Sequence, residues 1–159
     1  MTPSCCEYSY FVLLVKLWAK KSDIISSASP KDGLSGYGVV LMCLFYLMET
    51  NQIPRLDSLS DGYHHTEVID PVPPELCRLA SIGSNFTKFL AFYDRNSQFH
   101  RKRQIVSLIS NPPQSAYNHD VIINMYDFID KTNPGRLTRE FDDKFFGAIN
   151  GARVVMQDG

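Results

Sequence analysis

The feature that most constrains this chain is an apolar run from Val39 to Met48, which contains no charged residue. The run is about 10 residues long, whereas a helix that spans a bilayer needs roughly 20 apolar residues. Ser35 precedes the run as a good N-cap residue, and Glu49 follows it. A helix that is apolar on nearly every side must be covered by other elements. We therefore predict a central helix from about Ser35 to Glu49 in the core of a globular domain.

Three more helices are predicted from apolar residues that recur every three or four positions. The first covers about residues 8–21, and the third begins at Pro74 or Leu79 and ends near Tyr93. The last helix starts after Asn133-Pro134, an N-cap residue followed by a first-turn proline. Residues 51–74 are rich in proline, serine, aspartate and histidine, so we expect a long surface connection there.

Two short runs with strand-like composition lie between the third and the last helix. They cover residues 104–109 and 120–129, and Pro112-Pro113 marks a turn between them. Two such runs around a turn are typical of a β-hairpin. A chain of 159 residues forms one domain of ordinary size. The predicted fold is therefore mainly α with a small β-hairpin.

Charge and cysteine content exclude several functional classes. The net charge of −1 at pH 7 argues against a protein that coats nucleic acid by bulk electrostatics, so any RNA contact must be local. The four cysteines form no CxxC pair and have no histidine partner at zinc spacing. Reduced thiols fit the cytoplasm or the mitochondrial matrix. No membrane partner is expected, because the apolar helices are too short and Lys16 interrupts the first.

Two lysines on the first helix indicate an anion. Lys16 is flanked by apolar residues on both sides, and Lys20 follows four residues later on the same helical face. A buried ammonium group without a partner costs several kcal/mol, so a triphosphate between the two lysines would stabilise both. The alternative is that both side chains extend to solvent and bind nothing.

The start of the second helix offers further groups for a nucleotide. The hydroxyl of Ser35 and the backbone N–H groups at a helix N-terminus suit a phosphate. The ring of Tyr37 offers a flat surface for a base, and such stacking is worth roughly 1–3 kcal/mol. The alternative is an ordinary N-cap followed by a core tyrosine.

Together, these segments resemble cytoplasmic-type poly(A) polymerases and terminal uridylyltransferases. The sequence VLLVKLWAKK at 12–21 is similar to their K-x-W-A-K helix, and LSGYGVVLMCLFYL at 34–47 is similar to their L-S-S-Y motif and the apolar helix after it. SIGSNFTKFLAFY at 81–93, the strand at 104–108 and TNPGR at 132–136 resemble later blocks of the family. The resemblance covers residues 10–159 as a PAP-associated, nucleotide-recognition domain, and residues 1–9 do not match it.

The resemblance implies roles for particular residues at the helix pair. Lys16, Lys20 and Ser35 would contact the triphosphate, and Tyr37 would stack on the base. Gly36 replaces the second serine of the family motif, which leaves one phosphate contact open.

Base recognition is implied for Asp127 and Asn133, on either side of the loop at 128–131. Uridylyltransferases carry a histidine in that loop, which reads uracil, and this chain has no histidine between Asp120 and Gly159. The resemblance therefore favours ATP over UTP as the substrate.

The catalytic carboxylates of the family are not found in this sequence. In the family they hold two Mg²⁺ ions and precede the lysine helix, where this chain has only residues 1–9. Gly83-Ser84 before Asp94, and Glu140 before Asp142, do not reproduce the family spacing. We therefore expect no metal site and no catalytic residue in this chain, and Mg²⁺ only together with a catalytic domain.

Two functions remain open from the sequence. In the first, the chain is the nucleotide- and RNA 3′-end-recognising portion of an RNA nucleotidyltransferase and is inactive alone. In the second, it is a non-catalytic, degenerate relative that acts as a protein- or RNA-interaction module. Under the first hypothesis the expected partners are a nucleoside triphosphate, an RNA 3′ end and an RNA-binding adaptor protein.

Four basic residues are candidates for contact with the RNA backbone. They are the run Arg101-Lys102-Arg103 and the separate Arg136. The alternative is that the run is simply a solvated surface.

Overall fold

The computed structural model describes residues 5–25, 33–55, 79–127 and 135–158. The helices are α1 (Cys5–Lys21), α2 (Gly36–Glu49), α3 (Leu79–Phe92), α4 (Gln98–Arg101) and α5 (Asp142–Asp158), and the strands are β1 (Gly33–Leu34), β2 (Ile105–Val106), β3 (Asn124–Met125) and β4 (Gly135–Arg136). Two short 3₁₀ turns cover Gln114–Ala116 and Arg139–Phe141. The mainly helical fold predicted from the sequence is confirmed.

The core is built where α1, α2 and α3 meet. Phe11, Val15 and Ala19 recur every four residues along α1 and are fully buried. The ring of Phe11 contacts the rings of Tyr46 in α2 and Phe89 in α3, at centroid distances of 5.7 Å and 5.9 Å. Tilted and edge-to-face aromatic pairs of this kind add about 0.5–1.5 kcal/mol beyond the area that they bury. One face of α1 therefore fixes both neighbouring helices.

A second aromatic cluster joins α3 to α4. Tyr93, just after α3, is fully buried, and its ring lies 5.0 Å from Phe89, 4.8 Å from Phe92 and 4.9 Å from Phe99. Its hydroxyl donates a hydrogen bond of 2.7 Å to the backbone carbonyl of Met42 in α2. The buried phenol is therefore satisfied, as the burial of a polar group requires.

A buried polar network ties α2 to α3. The Tyr46 hydroxyl donates to Asn85 Oδ1 at 2.9 Å. Gln52 Nε2 donates to the same oxygen at 3.0 Å, and Asn85 Nδ2 donates to Gln52 Oε1 at 3.2 Å. Tyr8 in α1 adds a bond of 3.2 Å to the backbone carbonyl of Gln52. Each buried polar atom of Asn85 therefore has a partner.

The strands do not form the predicted hairpin. β2 pairs with β3 in parallel, with Ile105 opposite Asn124 and Val106 opposite Met125. β1 pairs with β4 in antiparallel fashion, and this pairing joins the segment before α2 to the segment before α5. The prediction of paired strands at 104–109 and 120–129 is right in location, but the prediction of a hairpin is wrong. A parallel pair requires a crossover connection and not a tight turn.

The last helix begins later than predicted. It starts at Asp142, not directly after Asn133-Pro134. The Ile122 N–H donates to the Leu137 carbonyl at 2.8 Å, and the Arg139 N–H donates to the Asp120 carbonyl at 3.0 Å. These bonds hold Leu137 and Arg139 against the 120–122 segment, and the backbone of Thr138 between them is extended, so no α-helix begins there. Asn133-Pro134 themselves lie outside the described residues.

The first three predicted helices are found close to their expected bounds. α1 starts at Cys5 instead of Tyr8, and α2 follows directly after its predicted cap, Ser35. Most of the predicted connection at 51–74 lies outside the described residues. Among the helices of the described part, none combines the length and apolar character needed to cross a membrane.

Candidate functional site

Lys16 lies beside the first turn of α2. A Cβ atom placed on Gly36 would be 3.9 Å from Lys16 Cε, so the lysine side chain runs along the start of that helix. Lys16 is half-buried. The charge of its ammonium group also acts on the buried thiol of Cys43 in α2. Burial raises the pKa of the Cys43 thiol in α2, and Lys16 opposes that rise.

The N-terminus of α2 presents the positive end of the helix dipole. Ser35 caps the helix, and its Oγ accepts a hydrogen bond of 2.9 Å from the Gly38 N–H. The first turn contains no acidic residue, although Asp and Glu are favoured at this position in helices because they offset the helix dipole. The dipole and the Lys16 ammonium therefore favour an anion in the same place.

Tyr37 is not a core residue. It lies in the first turn of α2 with 47% of its surface exposed. The alternative of a buried core tyrosine is therefore excluded, and the ring is accessible to a ligand. Lys20, one turn beyond Lys16 on α1, is exposed. The two lysines thus differ in environment: Lys16 is packed against α2, and Lys20 is at the surface.

Asp127 follows a strand that contacts the same end of α2. A Cβ atom on Gly38 would lie 3.3 Å from Met125 Sδ, so β3 approaches the first turn of α2 closely. Asp127 comes two residues after Met125 and is buried, with 6% of its surface exposed. Leu34, just before Ser35, pairs with Gly135. Both ends of the segment 128–134 are therefore anchored near the start of α2.

Two of the predicted site residues cannot be placed in full. Asn133, predicted to recognise the base, lies outside the described residues. Arg136, predicted to contact RNA, is described through its backbone, which pairs with Gly33 in the β1–β4 sheet.

The residues of the basic run predicted to contact RNA line more than one cavity. Arg101 lines a groove beside α3 together with Lys88. Lys102 and Arg103 line a different cavity, and Arg103 alone of the three also lines a third one. The backbone of Arg103 has a φ of 52°, in the left-handed region, which redirects the chain after α4. Arg95 and Arg139, which the sequence pattern did not single out, join Arg103 at that third cavity.

The described residues do not fit a magnesium centre. In the four ranges that the structure describes, His, Cys, Asp and Glu form no group of three or more that could hold a metal ion. A two-metal site requires such a cluster of carboxylates. No chemical step that needs Mg²⁺ can therefore be derived from these residues.

Comparison with known proteins gives one relationship. Over 95 residues, 52% of this chain, the sequence is 35% identical to the terminal uridylyltransferase cid1 of Schizosaccharomyces pombe. The matched part is 22% of that protein's length, so the chain spans only a fraction of this relative. No family model matches the chain. The similarity relates this chain to the nucleotidyltransferases, and it supports the mainly helical fold of a domain of that kind.

Proposed function

We propose that this chain binds a nucleoside triphosphate and recognises an RNA 3′ end, as the recognition portion of a template-independent RNA nucleotidyltransferase. The observation that supports this most is the position of Lys16, half-buried along the first turn of α2, which contains no acidic residue of its own. The exposed ring of Tyr37 lies in the same helical turn. The similarity to a protein named as a terminal uridylyltransferase points to the same class of ligand.

In this proposal the triphosphate is bound by charge and by the helix terminus together. Lys16 supplies a positive charge that solvent screens only in part, because the side chain is half-buried. Ser35 and the first turn of α2 supply N–H donors. Lys20 contributes from the surface, where its effect is weaker. Tyr37 stacks on the base, and Asp127 contacts the base edge.

The proposed substrate is ATP in preference to UTP. The reason is the lack of a histidine between Asp120 and Gly159. The relative's name makes UTP the competing hypothesis. Binding of the two nucleotides to the same preparation separates these hypotheses.

The test is calorimetric titration of the purified chain with ATP and with UTP. Replacement of Lys16 by Ala, or of Tyr37 by Ala, is expected to weaken ATP binding about tenfold each, since one charge-assisted contact or one stacked base is worth roughly 1–3 kcal/mol. The matched controls are Lys21→Ala and Tyr10→Ala, because both residues are exposed on α1 and lie on other faces of that helix. They are expected to leave affinity unchanged.

The alternative function, an interaction module that binds no nucleotide, makes the opposite prediction. Under it, neither nucleotide binds the wild-type chain, and Lys16→Ala has no effect on any titration. Equal losses in the Lys16 variant and in the Lys21 control would also contradict the proposed site, because they would indicate a general charge effect.

A further inference from the structure

Three arginines from separate parts of the sequence line one cavity on the side of the domain formed by α4 and α5. The cavity has a volume of about 200 Å³. Arg95 comes from the turn after α3, Arg103 follows α4, and Arg139 lies in the 3₁₀ turn before α5. Among the described residues that line it, Asp142 at the start of α5 is the only acidic one. Two positive charges of the wall therefore remain unmatched by that aspartate.

Arg95 is already paired. Its Nη1 lies 3.3 Å from Asp142 Oδ2 and its Nη2 lies 3.8 Å from Asp143 Oδ1. Its guanidinium carbon also lies 4.5 Å from the centre of the Phe146 ring. These contacts fix Arg95 as part of the cavity wall, and they use the charge of Asp142.

Arg103 and Arg139 are the arginines left for a ligand. Arg139 donates through Nε to the His119 carbonyl at 2.9 Å, which positions its guanidinium and leaves its two terminal nitrogens available. Within the part of the chain that the structure describes, neither Arg103 nor Arg139 has a carboxylate partner. Arginine forks of this kind match the geometry of phosphate oxygens.

The histidine in the wall adds no charge at neutral pH. Burial lowers the pKa of His100, and the nearby Arg139 acts in the same direction, against the backbone bond to Tyr93 and the charges of Asp142 and Asp94. A neutral His100 donates through Nε2 to the Tyr93 carbonyl, at 2.9 Å. An anion bound next to Arg139 would stabilise the protonated ring, so His100 reports on occupancy of the cavity.

The volume of the cavity and the positive side chains that continue beyond it indicate which phosphate compound it accepts. A volume of about 200 Å³ is below the roughly 300 Å³ of typical pockets for whole small molecules, so it suits one phosphate group and not a complete nucleotide. Arg103 and Gln104 also line a neighbouring cavity of about 420 Å³, where Lys102 adds a positive charge and Arg55 is paired with Glu49. Positive side chains thus continue from one cavity to the next, as the successive phosphates of a strand require.

We propose that Arg103 and Arg139 form a phosphate-binding site in this cavity, and that it takes a backbone phosphate of a single-stranded RNA. The assignment to RNA rests on the proposed function, whereas the phosphate chemistry does not. In this proposal Arg95 is a positioning residue, and of the basic run only Arg103 contributes to this cavity.

The test combines binding and NMR on the full chain. A short oligoadenylate is titrated into the wild type, into Arg103→Gln/Arg139→Gln, and into the control Lys88→Gln/Lys144→Gln, which removes the same charge from exposed residues outside the cavity. The cavity variant is expected to lose at least tenfold in affinity. The slope of log binding constant against log salt concentration should become shallower by about 0.7 for each lost phosphate contact. The control variant should keep most of its affinity.

The His100 imidazole signals give the second readout. Oligoadenylate is expected to raise the pH at which His100 titrates in the wild type and not in the cavity variant. Inorganic phosphate, titrated separately, identifies the source: a similar shift at comparable concentration indicates a site for free phosphate, and a shift with oligoadenylate alone indicates a strand site. If neither probe shifts His100, or if the control loses as much affinity as the cavity variant, the site is refuted. Loss of ATP binding in Lys16→Ala is independent of this result, so the two proposals fail separately.

Discussion

Replacing Asn85 by Ala should destabilise the domain by leaving a buried hydroxyl without an acceptor. Asn85 Oδ1 accepts from the Tyr46 hydroxyl at 2.9 Å and from Gln52 Nε2 at 3.0 Å. Tyr46 is 1% exposed, so its hydroxyl has no access to water, whereas Gln52 is half-buried and can bond to solvent. The orphaned hydroxyl costs about 1–3 kcal/mol, and the better helix propensity of Ala recovers roughly 0.5 kcal/mol.

The net expectation is a loss of about 1.5 kcal/mol in the free energy of unfolding. For a domain of this size that corresponds to a fall in Tm of roughly 3–6 °C. Urea unfolding followed by circular dichroism measures the change, with an unaltered slope as evidence that the unfolded state is the same. Ser84→Ala, at an exposed position of the same helix, is the control and should stay within about 0.5 kcal/mol of the wild type.

A second substitution tests the stated cause. Tyr46→Phe removes the hydroxyl itself, so in the Asn85→Ala background it should cost less than it does in the wild type, by about 1 kcal/mol. This non-additivity is the signature of the Tyr46–Asn85 hydrogen bond. If the two substitutions add within about 0.3 kcal/mol, the hydroxyl is not left unsatisfied and the reasoning is wrong.

Two further predictions concern stability. Gly147 and Gly151 are exposed positions of α5 where an added Cβ meets nothing within 4 Å. Gly147→Ala and Gly151→Ala should therefore each stabilise the domain by about 0.5–1 kcal/mol. Thermal unfolding of the single variants measures this, and destabilisation by either would show that the helix is not continuous there. Burial raises the pKa of the Tyr46 phenol from 10.0 to about 12. As the pH rises, the unfolded chain loses this proton first, so the free energy of unfolding should fall between about pH 10 and pH 12. In urea titrations across that range, Tyr46→Phe should flatten part of the decline, and a profile identical to the wild type would contradict the assignment.

The helices were predictable because their signals are local. Ser35 caps α2 where the sequence indicates, with its Oγ on the Gly38 N–H, and the apolar run after it is buried as expected. An N-cap is recognisable from the residues of one helical turn, and burial of the helix is expected from the apolar residues that follow the cap. The exposed position of Tyr37 in the first turn follows from the same register.

The strand pairing was not predictable because it depends on distant partners. The runs around Pro112-Pro113 resemble the arms of a hairpin, but β2 lies parallel to β3. The start of α5 was misplaced for the same kind of reason, since Leu137 and Arg139 bond to the backbone of residues 120–122. Local periodicity contains no information about these long-range hydrogen bonds.

The candidate site residues also differ in whether local sequence was enough to select them. Lys16 and Ser35 are marked by short motifs, so sequence was enough to select them, although their roles remain predictions. Neither Arg95 nor Arg139 has a basic neighbour in the sequence, and only tertiary packing brings them to the cavity that Arg103 lines. The run Arg101-Lys102-Arg103 is divided among three cavities, of which Lys102 and Arg103 share one, and its adjacency in sequence did not indicate this distribution.

The anchoring of Asp127 and Gly135 near the first turn of α2 has a consequence for how such a domain can diversify. The two anchor points are fixed by contacts that do not involve the residues between them: Met125 against Gly38 on one side, and the pairing of Gly135 with Leu34 on the other. Residues between these two anchor points can therefore be inserted, deleted or replaced, in evolution or by design, without removing either contact. Under the proposed function, such a change would alter the preferred base and leave the residues proposed to bind phosphate in place.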